Sequence, residues 1–196
     1  MTEELISTQA PQRRLTDASE ALTVLERALT GLAGLRRPRP AAIDWAALEE
    51  GLGTALPSDY KLLAEWQPPF VIGEFLLVDL PEPGREQQWL TNMRGALDVL
   101  ADTWADPALG LAAHPEPGGL LPWGSSCDGD RFLWRTHGRS GEAAHEAPQE
   151  WNVTVGSRGG AWWQYGGGMA QFLAEYGTGA VEPWELPPID PEVTPC

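Results

Sequence analysis

The apolar residues of this chain change their spacing part-way along it, and that change restricts the fold more than any other feature. From Leu15 to Trp104 they recur mainly at intervals of three and four, which places them on one face of a helix. From Leu120 to Tyr165 they fall into short runs that alternate with polar residues, the pattern of a strand with one covered face. Helices gathered ahead of consecutive strands indicate an α+β domain rather than an alternating α/β fold.

The individual elements follow from the same reading. Leu15, Ala18, Leu22, Leu25, Leu29 and Leu32 predict a helix over 16–33, capped by Thr16 or Asp17 and stopped by Arg36-Arg37-Pro38-Arg39-Pro40. The stripe covers less than three heptads, so packing onto the same chain is a better account of it than a coiled coil. Asp44 opens a second helix carrying Trp45, Leu48 and Leu52, and Pro57 stands at the start of a third with Tyr60, Leu63 and Ala64 inward. Phe70 to Leu80 reads as a strand pair or one strand bent around Gly73, and Arg85 to Trp104 as a helix. Strands are expected over 120–124, 131–136, 151–155 and 161–165, with a hairpin at 156–160 and a last helix around Met169, Phe172, Leu173 and Tyr176. In this scheme 1–15 is a mobile tail, 16–40 a helix and linker, 41–182 the domain, and 183–196 a proline-rich tail or docked extended segment.

Composition narrows the function classes. With 196 residues the chain has the length of one ordinary domain, and 42% hydrophobic residues with ten Trp exclude wholesale disorder. The net charge is −15, from 28 acidic and 13 basic side chains. A chain this acidic is not expected to bind nucleic acid or an anionic membrane, both of which need a basic face. Residues 1–40 hold five acids and six bases, so the excess falls in 41–196. An acidic body favours a basic partner. No apolar run reaches the roughly 18 residues of a membrane span; Phe70–Leu80 is interrupted by Glu74 and Asp79. The start lacks the pattern of a secretory signal, and two cysteines make no disulfide framework, so a cytoplasmic location is expected.

The chemical candidates are thin. Cys127, Asp128 and Asp130 with His114, His137 and His145 lack the short paired spacing of a zinc site, and Asp128-Gly129-Asp130 lacks the remaining ligands of a calcium loop. Ser125-Ser126 has no nucleophile elbow, and Gly166 to Gly168 has no accompanying Lys to complete a phosphate loop. No catalytic residue, metal ligand or cofactor is therefore expected. Of the tryptophans, Trp45, Trp89 and Trp104 fall at core-facing helical positions, and Trp162 and Trp163 must point to opposite faces of one strand.

Three stretches in order carry a family resemblance. They are Trp45 to Lys61 with Leu56-Pro57-Ser58-Asp59-Tyr60-Lys61, then Gly119 to Gly124 with Asp128-Gly129-Asp130 and Trp134, then Trp151-Asn152-Val153-Thr154-Val155 running on to Phe172-Leu173. Together they resemble the SUKH superfamily, also known as the SMI/KNR cell-wall-assembly regulator family, over roughly residues 43–180. The resemblance implies helices packed on a twisted antiparallel sheet. It also implies a non-enzymatic protein-binding role. Bacterial members are mostly immunity proteins that bind and block a cognate toxin, often a nuclease, and fungal members are regulatory interaction proteins. Expectation therefore settles on an immunity protein that occludes the active site of a basic toxin. A regulatory or scaffold module is the alternative, and a hydrolase the more remote one. Trp123, Asp128 and Asp130, with Glu142, Glu146 and Glu150 in the long loop 137–150, are the candidate partner-binding residues.

Overall fold

Residues 5–106, 109–136 and 148–196 are described by the computed structural model, in which helices cover one mixed sheet. Helix α1 (Ala18–Ala28) begins where the Asp17 carboxylate accepts the Glu20 amide at 2.7 Å, and it buries Ala21, Leu22 and Leu25. The predicted helix does not continue to residue 33. Leu29 is extended, and the Thr30 carbonyl accepts the Val193 amide at 2.9 Å, so the C-terminal segment takes over the backbone that a further helical turn would have used. Gly31, at φ +91°, then turns the chain into the one-turn helix α2 (Leu32–Leu35).

Helix α3 (Trp45–Leu52) is capped by Asp44 on the Ala47 amide, and α4 (Ser58–Trp66) follows Pro57. Glu49 joins the two: its carboxylate accepts from the Leu56 amide at 2.9 Å and from Lys61 Nζ at 2.8 Å. Helix α5 (Glu86–Val99) passes directly into a wider π-helical turn, Leu100–Trp104. Helix α6 (Met169–Gly177) is buried along most of its length.

Among the described residues, eight strands form one sheet. They are β1 (Leu5–Gln9), β2 (Phe70–Ile72), β3 (Leu76–Val78), β4 (Leu120–Ser126), β5 (Arg131–Arg135), β6 (Asn152–Gly156), β7 (Trp162–Tyr165) and β8 (Val193–Pro195), in the order β1-β7-β6-β5-β4-β3-β2-β8. The domain is α+β, as the spacing change implies. Every pairing is antiparallel except β1 on β7, which is parallel, so the sheet is mixed.

Both expected tails are sheet edges. The stretch read as a mobile N-terminal tail supplies β1, and the proline-rich end supplies β8, paired with β2 from Phe70–Pro195 to Ile72–Val193. Gln9 ties β1 to the segment that follows α6. Its side-chain amide donates to the Glu182 carbonyl at 2.7 Å, while its carbonyl accepts the Glu182 amide at 2.9 Å. The acidic and basic halves of the sequence thus belong to one folded body.

The sheet buries both of its faces. On the helix side Phe132, Trp134, Val153, Val155, Trp163 and Tyr165 pack with Tyr60, Phe172 and Leu173. The Trp134 ring meets Tyr60 edge-on at 4.9 Å, and Phe172 lies 6.0 Å from Trp163 and 6.1 Å from Trp123. On the other side Leu133 and Trp162 pack under Leu100, Leu111 and Leu120, with Trp104 edge-on to Trp162 at 5.8 Å. Trp162 and Trp163 therefore do point to opposite faces, and each face is covered.

Candidate partner-binding surface

All ten tryptophans are at least half-buried. Six of the ten are buried and the other four half-buried, so none stands free as an exposed anchor. Trp123, expected on the partner-binding surface, is 1% exposed and packs against Phe132, Trp134 and Phe172. It belongs to the core because the inner face of β4 is covered by α6.

Asp130, also expected on that surface, is buried for a different reason. It is 4% exposed and closes the β4–β5 turn: its carboxylate accepts from Ser126 Oγ, and its amide donates to Ser126 Oγ at 2.9 Å. The other carboxylate oxygen takes the Arg158 amide at 2.8 Å, tying this turn to the β6–β7 hairpin. A carboxylate with these partners has an architectural role. Asp128, two residues earlier, is exposed at the same turn, and Glu150 is exposed on the short helix Pro148–Glu150. They sit at opposite ends of β5, since Asp128 precedes Arg131 and Glu150 precedes Asn152, the partner of Arg135. They do not form one patch. Glu142 and Glu146 lie outside the described residues, as do His137 and His145.

The residues of the Leu-Pro-x-Asp-Tyr-Lys stretch also hold the fold. Asp59, 9% exposed, accepts the amide of Tyr60 at 2.9 Å and that of Ala170 at 3.1 Å, so it caps α6 from a distant part of the chain. Burial raises its proton affinity, while these amides and the nearby Arg14 guanidinium oppose the rise. Arg14 is itself held by Asn152 Oδ1 at 2.7 Å and by the Trp151 carbonyl at 2.9 Å. Tyr60 is buried, and its hydroxyl donates to the backbone carbonyl of Asp79 at 2.8 Å.

That last bond leads to a carboxylate the sequence reading did not single out. Asp79 follows β3, and its backbone is fixed from two sides, by Tyr60 and by its own amide on the Trp123 carbonyl at 3.1 Å. Asp79 lines a cleft of about 110 Å³ between α5 and the β3–β4–β5 ladder, together with Leu77, Asn92, Ala96, Pro122 and Arg131. An adjoining lobe of about 150 Å³ shares Asp79 and Asn92 and adds Glu82, Arg85 and Gln88. Among the described residues no side chain or amide bonds the Asp79 carboxylate. Burial without compensation pushes this carboxyl up to about 6. The signal in the sequence was a charge inside the most apolar run of the chain, Phe70–Leu80.

Among the described residues no three His, Cys, Asp or Glu side chains are grouped to share a metal ion. Cys127 and Cys196 are exposed free thiols, and His114 Nε2 lies 2.7 Å from the Leu52 carbonyl. No described helix is long and apolar enough to cross a membrane. No family model, curated protein or solved structure matches the chain.

Proposed function

We propose that the chain is a non-enzymatic protein-binding module of the cytoplasm, an immunity protein of the SUKH-like kind, that neutralises a basic toxin by covering its active site. A nuclease is the toxin class that fits, because it must present cationic groups to phosphate and so offers a surface an acidic inhibitor can imitate a polyanion against.

The observation that carries this reading is how the fold deals with its two kinds of charge. Most described cations are engaged within the chain. Lys61, Arg36 and Arg85 pair with Glu49, Glu26 and Glu82, while Arg14, Arg37 and Arg135 donate to backbone carbonyls. Many carboxylates have no such partner: Glu50, Glu74, Asp98, Asp102, Glu116, Asp128 and Glu192 are exposed. With a net charge of −15 and these carboxylates at the surface, the chain attracts a cationic partner and speeds encounter with it. The regulatory alternative takes the 16–33 helix and the proline-rich tail as docking elements; α1 buries Ala21, Leu22 and Leu25 in the core and β8 pairs with β2, so both are already engaged within the chain.

Co-expression with a toxin encoded beside this gene tests the reading. Cells survive, the two proteins copurify as a one-to-one complex, and their association rate falls steeply as salt is raised. Cell death despite full expression, or no complex even at low salt, overturns it.

A further inference from the structure

The cleft beside α5 has the chemistry of a seat for one long cationic side chain. Its carboxylate is unpaired although two arginines of the same chain line the space. Arg131 turns its guanidinium over the Trp104 ring, 5.8 Å from the centroid, and Arg85 pairs with Glu82 at 3.6 Å. Neither neutralises Asp79. A half-buried anion with no counter-charge is a cost to the folded chain, and a cation arriving from outside removes it.

One side of the cleft is apolar, formed by Leu77, Met93, Ala96 and Pro122, while Asn92 and Arg131 complete its lining. Leu77 and Val99 are the two large hydrophobic residues that the described surface leaves exposed, at 37% and 45%. Leu77 lines the cleft directly. Val99 continues the helix stripe of Asn92 and Ala96, seven and three residues after them, so it extends the same rim toward the π-helical turn. The cleft and its adjoining lobe have the size of one extended side chain, with its charged end at Asp79 and its methylene stem along Leu77 and Ala96.

We infer that the cleft between α5 and β3–β4 receives an arginine side chain presented by the chain's basic protein partner, with Asp79 as its counter-ion and Leu77 and Val99 as the apolar rim of the contact. Arginine suits the place better than lysine, because its planar guanidinium binds a carboxylate through two hydrogen bonds and is less strongly hydrated than an ammonium group. The inference deepens the immunity reading and rests on it for the partner's identity. It does not rest on it for the cleft's preference.

Two measurements separate the two. A solution NMR titration with N-acetyl-arginine amide at low salt reads the cleft alone. The amides of Leu77, Asn92, Ala96 and Gly124 shift together with an affinity of about millimolar, N-acetyl-citrulline amide produces no such shifts, and Asp79→Asn weakens binding by about tenfold or more. Ala96→Met, which fills the cleft and leaves Asp79 in place, blocks the same shifts. Equal binding by Asp79→Asn, or shifts centred on Glu74 and Glu192 instead, overturns the inference. Co-expression with the toxin reads the partner: if wild type protects and Asp79→Asn binds the toxin as tightly, the immunity reading stands and this inference fails. If wild type does not bind the toxin while the arginine probe still seats at Asp79, the immunity reading fails, and so does the assignment of that partner to the cleft.

Discussion

Two aspartates separated by one helix and one hairpin show how differently this fold treats a carboxylate. Asp59 is the more deeply buried, yet two backbone amides and the neighbouring Arg14 meet it. Asp79 is less buried and meets nothing, and its proton affinity rises by burial alone. Tyr60 stands between them: its amide binds Asp59, and its hydroxyl binds the Asp79 carbonyl. The first carboxylate is used up inside the molecule. The second is held in position by the same residue but is left to face a cleft. Depth of burial therefore does not separate a structural acid from a functional one here; the presence or absence of internal partners does.

The largest loss of stability is expected at Asp59. Asp59→Ala removes the cap of α6 and leaves two buried amides without an acceptor, so chemical denaturation should show a loss of about 2–4 kcal/mol. Asp59→Asn retains an acceptor and should lose clearly less. If the Ala variant is within 0.5 kcal/mol of wild type, a threshold set at the usual size of a surface substitution, Asp59 is not the architectural member of the pair.

The opposite sign is expected at Asp79. Its folded pKa lies above the unfolded one, about 6 against 3.8, so the folded state keeps a proton that the unfolded chain has already released. Stability contributed by this group is present below the unfolded value, declines as pH rises between about 4 and 6, and stays low above that window. Asp79→Asn should therefore be more stable than wild type at pH 7.5, by about 1–2 kcal/mol once partial exposure is allowed for, and equal to it near pH 4. Parallel denaturation curves at the two pH values check this. An Asn variant that is less stable at pH 7.5 means that the carboxylate has a partner after all.

Most elements were legible because their causes are local. The Leu22–Leu25–Leu29 stripe, Asp44 ahead of Trp45, and the alternation of Trp151, Val153 and Val155 each report on a face or a cap within a few residues. What escaped depends on residues far apart in sequence. Leu5–Gln9 has no strand pattern of its own and is ordered by lying along β7, and Val193–Pro195 is ordered by β2. Thr30 leaves the helix because residue 193 competes for its carbonyl. The site fared worse for a related reason. Trp123 and Asp130 had the right residue types for an interface, but exposure is settled by the packing of α6 and by the Ser126 and Arg158 bonds, which no local pattern encodes. Asp79 was visible only as an interruption of an apolar run, a signal that does not tell a strand end from a binding group.

The smallest effect on stability comes from a third aspartate. Asp128 is exposed at the β4–β5 turn and outside the cleft, so Asp128→Lys should change stability by less than about 0.5 kcal/mol. It raises the net charge by two, whereas Asp79→Asn raises it by one. A partner drawn only by the overall field would therefore respond more to the change at Asp128, and the response would be in association rate. A partner that seats a side chain at Asp79 responds to the smaller change in charge with the larger loss, and that loss lies in dissociation rate. Stopped-flow association and dissociation measurements on the two variants distinguish the cases, because only the second reverses the order that net charge dictates.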